Sequence, residues 1–137
     1  MSDTRTLTVT RRTSTAHRLL HYEGVCGNVH GHNLEWDIEL VVSMEDAGDD
    51  EMPIDFKEIS ERIDSTDHAI LLNADDPLLD IDNPQLVLGD ILTFGSDPTT
   101  ELVSQWMADR LVSEIDAVLE AEVTIKETQK YGMTATA

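Results

Sequence analysis

The sharpest chemical signal in this chain is the tripeptide His30-Gly31-His32. Two histidines at positions i and i+2 of a strand project from the same face, so their ring nitrogens can converge on one ion. His17 ends an upstream β-branched segment, where a hairpin partner would bring it beside the pair. Three imidazoles with an open fourth position are typical of catalytic zinc, so His17, His30 and His32 are predicted to bind Zn²⁺.

A bare His-x-His pair also has a simpler interpretation, in which both side chains end a strand and hydrogen-bond locally. The position of His17 favours the metal site over that alternative. His21 follows four residues later in an expected loop and is interpreted as a surface residue.

Cys26, the only cysteine, precedes His30 by four positions, so no internal disulfide is possible. It is followed by Gly27-Asn28, which indicates a loop. We interpret Cys26 as a reactive thiol near the metal. The alternatives are a fourth structural zinc ligand and a small core residue.

Asp67-His68 is a candidate acid–base pair, because a carboxylate near an imidazole fixes its tautomer and raises its basicity. Its structural alternative is a histidine at a helix terminus. Glu127 shares the parity of Val123 and Ile125 on the last expected strand, which predicts a carboxylate on the core side. There it could accept two hydrogen bonds from a planar guanidine-like edge, whereas a solvated glutamate at a strand end is the alternative.

Pro98-Thr99-Thr100-Glu101 has a plain explanation as a helix start, and its hydroxyls and amides are also candidates for ligand contact. The helix is expected to open at Asp97 as N-cap, with Pro98 in the first position, and to run to about Leu119. A shorter helix is expected from the capping-box pattern that starts at Asp55.

Alternating or β-branched sequence predicts the strands, which are expected over residues 5–17, Leu34–Val42, Ile91–Phe94 and Glu122–Thr128. Strands with helices inserted between them favour an α+β fold, with an antiparallel sheet and its two helices on one face. The length of 137 residues suits a single domain over 1–137.

The composition excludes several function classes. Lys and Arg number 9 against 28 Asp and Glu, a formal charge of −19, so direct nucleic-acid binding is not expected. No segment approaches the ~20 apolar residues of a membrane helix, and a cytoplasmic protein is expected. The acidic surface suits a halophilic cytoplasm: lost stability at low salt would support this hypothesis, and unchanged stability would count against it.

Six segments in chain order together resemble the 6-pyruvoyl-tetrahydropterin synthase and 6-carboxy-tetrahydropterin synthase family. They are Thr-Ala-His-Arg-Leu (15–19), Cys-x3-His-Gly-His-Asn (26–33), Ile-Asp-Phe (54–56), Asp-His-x3-Leu-Asn (67–73), Pro-Thr-Thr-Glu (98–101) and Lys-Glu-Thr (126–128). The resemblance implies a tunnelling fold whose subunits join their sheets into a barrel. It therefore implies a homo-oligomer, expected to be a hexamer, with active sites at subunit boundaries.

The resemblance also assigns roles to residues. It implies zinc on the three histidines, catalysis by Cys26 with Asp67 and His68, and a pterin anchored by Glu127. Thr99 and Thr100 match a ligand-contacting helix start. The aromatic residue that the family commonly has before Ala-His is absent, because residues 13–15 are Thr-Ser-Thr.

The spacing Cys-x3-His-Gly-His resembles the carboxy-tetrahydropterin enzymes of 7-deazaguanine biosynthesis, on the route to queuosine or archaeosine. The expected reaction converts 7,8-dihydroneopterin triphosphate to 6-carboxy-5,6,7,8-tetrahydropterin, with loss of acetaldehyde and triphosphate. Alternatives are a pyruvoyl-type synthase, a non-enzymatic zinc protein closed by Cys26, and a zinc hydrolase. The candidate triphosphate-binding cations are Arg11, Arg12, Arg18, Lys126 and Lys130.

Overall fold

The computed structural model of the protein describes residues 3–45, 47–83 and 88–137. Within these ranges the chain forms six strands and two α-helices, with short 3₁₀ turns at Val25–Gly27 and Pro77–Asp80. The elements in chain order are β1 (Thr4–His17), β2 (His30–Ser43), α1 (Phe56–Asp64), β3 (Ala69–Asn73), β4 (Asp90–Phe94), α2 (Thr100–Glu114), β5 (Val118–Lys126) and β6 (Gly132–Thr136).

The strands form one sheet in the order β4-β3-β1-β2-β5-β6. The β1–β2 hairpin is paired from Thr4↔Ser43 to His17↔His30, and β5 and β6 continue the sheet in antiparallel fashion. On the other side β3 runs parallel to both β1 and β4. The expectation of an antiparallel sheet is therefore right for four strands and wrong for β3 and β4. The α1 segment connects β2 to β3, and residues 74–89 connect β3 to β4, so each connection is long enough to place a strand parallel to its neighbour.

The hydrophobic core lies on one face of this sheet. The alternation expected for the second strand is confirmed, since Leu34, Trp36, Ile38, Leu40 and Val42 are all buried. Both helices pack into the same core, α1 through Ile59 and Ile63 and α2 through Val103, Met107 and Leu111. The expected arrangement of helices on one face is therefore confirmed, and the opposite face of β2 is the more exposed one.

The α2 helix differs from its sequence prediction at both ends. Its N-cap is Thr99, whose hydroxyl accepts a hydrogen bond from the Leu102 N–H at 3.1 Å, and Asp97 lies outside the helix. The helix ends at Glu114, and Val118 already begins β5. The apolar residues continue beyond Glu114 because the chain there enters β5, which is also buried. The helical spacing of apolar residues did not distinguish this strand from the end of the helix. Neither helix among the described residues is long and apolar enough to cross a membrane.

Candidate metal centre and active site

The β1–β2 hairpin brings the three predicted histidines together. His17 pairs directly with His30, and His32 lies two residues further along β2 on the same face. The ring centroids are 4.5 to 5.2 Å apart, and one potential ligand atom from each ring lies within 4.8 Å of the other two. His17 is buried, and the other two rings are half-buried. The cluster therefore lies at the end of the core, where strand parity predicted it.

Backbone carbonyls orient two of these rings. The Nδ1 atom of His17 is 2.9 Å from the Pro98 oxygen, and Nδ1 of His30 is 2.7 Å from the Asn28 oxygen. A carbonyl only accepts, so Nδ1 carries the hydrogen in both rings and Nε2 keeps a lone pair. The two Nε2 atoms lie 2.9 Å apart, and two lone pairs at that distance require a proton or a metal ion between them.

This donor set fits Zn²⁺, which binds neutral imidazole nitrogens whose other nitrogen donates to a carbonyl. Burial lowers the pKa of His17, although the hydrogen bond to the Pro98 carbonyl and the Glu127 charge act in the opposite direction. The buried ring is thereby favoured in the neutral form that binds a metal.

Glu127 follows the last residue of β5 and lies beside the cluster. With His17, His32, Thr15 and Thr100 it lines a small pocket of about 10 Å³, which is room for about one water-sized ligand. The Thr100 hydroxyl donates a hydrogen bond to Glu127 Oε1. The carboxylate is thus on the core side, as parity predicted.

The two predicted threonines have different surroundings. The hydroxyl of Thr99 accepts the Leu102 N–H in the first turn of α2, whereas the hydroxyl of Thr100 donates to Glu127. Of the two threonines, only Thr100 contacts another candidate site residue through its side chain.

Cys26 lies in the 3₁₀ turn Val25–Gly27 and is half-buried. Its carbonyl accepts a hydrogen bond from the Leu19 N–H at 3.1 Å, which closes the loop that connects His17 to His30. Among the described residues, Sγ does not join the group of ligand atoms that lie within 4.8 Å of one another. The arrangement leaves the fourth position open and does not support Cys26 as a structural zinc ligand.

Asp67 and His68 form a pair between α1 and β3. The His68 Nδ1 and Asp67 Oδ2 atoms are 3.1 Å apart, so the adjacent side chains do meet. Ser14 fixes both residues, since its N–H donates to Asp67 and its carbonyl accepts from the His68 N–H. The Ser14 amide, followed by His68, lowers the pKa of Asp67, which keeps the carboxylate ionised.

The structure does not place this pair next to Cys26. The pair is held at Ser14 of β1, whereas Cys26 is bonded through its carbonyl to Leu19 within the loop that follows β1. Leu19 lies two residues beyond the end of β1, so the two points of attachment are at different places along the chain. The His68 side chain is 83% exposed, and it lines a cleft of about 530 Å³ that also reaches His32.

The basic residues differ in their partners. Arg11 pairs with Asp64 through two hydrogen bonds, and Arg18 pairs with Asp76 in the same way. Arg12 and Lys126 line a cleft of about 390 Å³ with His32 and Glu127. Within the described part of the chain no salt bridge engages Arg12, Lys126 or Lys130, so these three remain the candidates for anion contact.

Several residues at the site were missed by sequence reasoning. Thr13 and Thr15 occupy the positions before Ala-His, and their hydroxyls lie 3.0 Å apart, with Trp36 donating to Thr13. Both threonines alternate along β1 with His17, so their positions in the sequence could have indicated that they lie on the same face as this histidine. The sequence contains no signal for the roles of the Asn28 and Pro98 carbonyls, because every residue carries a backbone carbonyl.

Solved pterin synthases share this fold. The chain matches 6-pyruvoyl tetrahydropterin synthase from Caenorhabditis elegans with a TM-score of 0.62 and 26% identity, over 99% of this chain and 97% of that one. It matches the Plasmodium vivax 6-pyruvoyltetrahydropterin synthase with a TM-score of 0.64 and 20% identity, over 98% of both chains. The α+β fold of the pterin synthases is thereby confirmed.

Sequence comparison gives the same class. The family model described as 6-pyruvoyl tetrahydropterin synthase matches residues 6–137. A relative from Halobacterium salinarum, named a probable 6-carboxy-5,6,7,8-tetrahydropterin synthase, is 30% identical over 118 residues, which are 85% of this chain and 77% of the relative. The chain belongs to the 6-pyruvoyl tetrahydropterin synthase family, and the resemblance inferred from its six motifs is confirmed.

Proposed function

We propose that this protein is a zinc-dependent carbon–carbon lyase that makes 6-carboxy-5,6,7,8-tetrahydropterin. The substrate would be 7,8-dihydroneopterin triphosphate, and one water would be consumed as acetaldehyde and triphosphate leave. The observation that carries the proposal is the set of three converging histidine nitrogens with the Glu127 carboxylate beside them. The name of the Halobacterium salinarum relative and the Cys-x3-His-Gly-His spacing support the carboxy product.

In this proposal His17, His30 and His32 hold the metal. When bound, zinc would polarise the vicinal side-chain oxygens of the substrate and make their protons easier to remove. Glu127 would accept two hydrogen bonds from the guanidine-like edge of the pterin, with the Thr100 hydroxyl fixing the carboxylate. This positioning would bring the reacting carbons to the metal side of the cleft.

Cys26 and His68 would move the protons. Cys26 would act as a thiolate base near the metal, and His68 would give and take protons on the other side. The Nδ1–H of His68 donates to Asp67, so Nε2 is the atom available for transfer.

We further propose that a second copy of the chain completes the site. His68 is held at Ser14 within β1, whereas Cys26 is bonded to Leu19 beyond the end of β1. Among the described residues, Cys26 joins no group of ligand atoms with Asp67 and His68. β4 and β6 are the edge strands of the sheet, and edge strands offer unpaired backbone groups for joining further strands. A homo-oligomer, expected to be a hexamer in the cytoplasm, would use both features.

Product identification tests the proposed reaction. The zinc-loaded chain would be incubated with 7,8-dihydroneopterin triphosphate, with product masses and acetaldehyde measured in the same sample. We expect acetaldehyde in equal amount to 6-carboxy-5,6,7,8-tetrahydropterin. Loss of triphosphate without acetaldehyde, with the three-carbon side chain retained, would contradict it.

That contrary result would favour the second candidate, a 6-pyruvoyl-tetrahydropterin synthase. The match of the family model over residues 6–137 is the observation that favours it. The product would then not be expected to enter a pathway to a 7-deazaguanine tRNA modification such as queuosine or archaeosine.

Cys26→Ala separates either enzyme from a non-enzymatic zinc protein. A closed four-ligand site should lose zinc with this change, whereas the proposed open site keeps zinc and loses turnover. The position of the thiol outside the histidine group supports the second outcome.

A further inference from the structure

Asp97 accepts three hydrogen bonds, two of them from backbone amides of a loop that is distant in the sequence. Its Oδ1 accepts from the Leu20 N–H at 3.1 Å and from the Asn73 side-chain amide at 3.0 Å. Its Oδ2 accepts from the His21 N–H at 2.9 Å. The carboxylate therefore joins the end of β3 to the loop that follows β1, a role unrelated to the helix cap that the sequence predicted.

The loop held by Asp97 is the one that carries Cys26. Residues 18–29 begin directly after one metal-ligand candidate, His17, and end directly before another, His30. Within this loop the Leu19 N–H donates to the Cys26 carbonyl at 3.1 Å. The position of the turn at residues 19–22 therefore sets the position of Cys26.

Close packing at Gly27 couples this loop to the turn at residues 19–22. A Cβ atom at this position would lie 2.5 Å from the Tyr22 carbonyl oxygen, so the two backbones are in close contact. The Tyr22 N–H in turn donates to the Leu19 carbonyl at 3.2 Å. A shift of the turn would be transmitted to the residue next to Cys26.

A second carboxylate holds the beginning of the loop. Arg18 donates to both oxygens of Asp76, at 2.8 and 2.6 Å, and the Asp76 side chain is fully buried. Asp76 also accepts the Leu78 N–H and is thereby fixed at its own turn. With Arg18 held there, the two amides on Asp97 are the next attachment along the loop towards Cys26.

The charge of Asp97 suits this role. Burial raises the pKa of its carboxyl, but the Asn73 amide and the two loop amides together lower the pKa below its ordinary value. The group is therefore anionic at neutral pH, and bonds from N–H donors to an anion are stronger than bonds to a neutral acceptor.

We propose that Asp97 is a positioning residue that holds the Leu20–His21 turn, and through it places Cys26 for proton transfer beside the metal. The consequence for turnover rests on the proposed function. The positioning of Cys26 itself is measured without substrate, so the two can fail separately.

The test uses the single cysteine of the chain, because alkylation by iodoacetamide reports on Cys26 alone. In Asp97→Ala the loop loses two acceptors, and we expect Cys26 to react at least about fivefold faster, with faster hydrogen exchange at Leu20 and His21. Asp97→Asn keeps one acceptor oxygen and should give an intermediate rate. The control Asp109→Ala removes an exposed carboxylate that accepts a hydrogen bond from Gln105 on α2, and it should react like the wild type.

Turnover supplies a second readout that a merely structural role would not change in the same way. Zinc content should stay at the wild-type level in Asp97→Ala, KM should change little, and kcat should fall by up to about a hundredfold, as expected for a displaced catalytic group. Asp97→Asn should recover part of kcat.

Two results would overturn the proposal. One is a wild-type alkylation rate in Asp97→Ala or, if that variant does not fold, in Asp97→Asn. The other is loss of zinc together with the change in rate, which would assign Asp97 to the metal centre instead of the loop. If wild-type protein shows no turnover, the proposed function fails while the alkylation rate still decides the positioning role.

Discussion

The histidine cluster and the Asp67-His68 pair lie against the same strand, yet they are built in opposite ways. His17 projects from β1 into the core, and both it and His30 are oriented by backbone carbonyls. His68 is attached to the same strand three residues earlier, at Ser14, and its side chain is 83% exposed.

This difference indicates which part of the proposed site is complete within one chain. The core of the chain already fixes the predicted metal ligands, because His17 is buried and carbonyl oxygens orient the rings of His17 and His30. The candidate acid–base pair is instead presented outward, with His68 at a φ of 57° and only Asp67 as its side-chain partner among the described residues. In the proposed oligomer the pair would act on a group that a neighbouring chain brings to it.

The largest expected effect is at the metal centre. His32→Ala removes one of three ligands from a half-buried position, and apparent zinc affinity should fall by more than about a hundredfold, since even loss of a partner outside the ligand set costs about 10- to 100-fold. A competition titration with a zinc chelator measures this. Unchanged affinity would place the metal elsewhere.

The exposed pair should respond differently. His68→Ala should keep zinc and thermal stability, because the side chain is exposed, and should lower kcat by about 10²–10⁴-fold as expected for a lost general acid or base. His21→Ala is the matched control, since this histidine is also exposed and is held through its backbone. Zinc loss in His68→Ala would contradict the separation of the two regions.

A smaller effect is expected at the hydrogen bond between Thr100 and Glu127. Thr100→Val removes the donor that orients the carboxylate and should raise KM by roughly tenfold, the range for a hydrogen bond to a charged group. Thr100→Ser keeps the hydroxyl and should behave like the wild type. A change confined to kcat would argue against Glu127 as the substrate anchor.

The smallest effect is expected at the neighbouring threonine. Thr99→Ala removes the N-cap of α2 and should lower the free energy of unfolding by about 1 kcal/mol, with KM little changed. Chemical denaturation measures the loss. A KM change as large as that of Thr100→Val would show that both hydroxyls serve the ligand.

The parts of the fold and site that depend on regular alternation could be predicted from the sequence. Parity along β2 located both the core face and the histidines, because side chains of a strand alternate strictly between faces. The β3 strand has five consecutive buried residues and no alternation, so it was missed. Such a continuous run is typical of a parallel strand covered on both faces.

Local residue types were less decisive where two candidates stood close together. Asp97 and Thr99 are both good N-cap residues, and the sequence did not show which of them the helix uses. The decision depends on the loop amides of Leu20 and His21, which are distant in sequence and occupy the Asp97 carboxylate. In the same way, no local signal could show that Cys26 and His68 lie apart.

Mixing two inactive variants tests most directly whether the site is divided between chains. Cys26→Ala and His68→Ala would be refolded together in equal amounts and assayed against each variant alone. If Cys26 and His68 of different chains meet, random assembly should restore about one quarter of wild-type turnover. A mixture as inactive as its components would show that one chain supplies both groups, and would contradict the account.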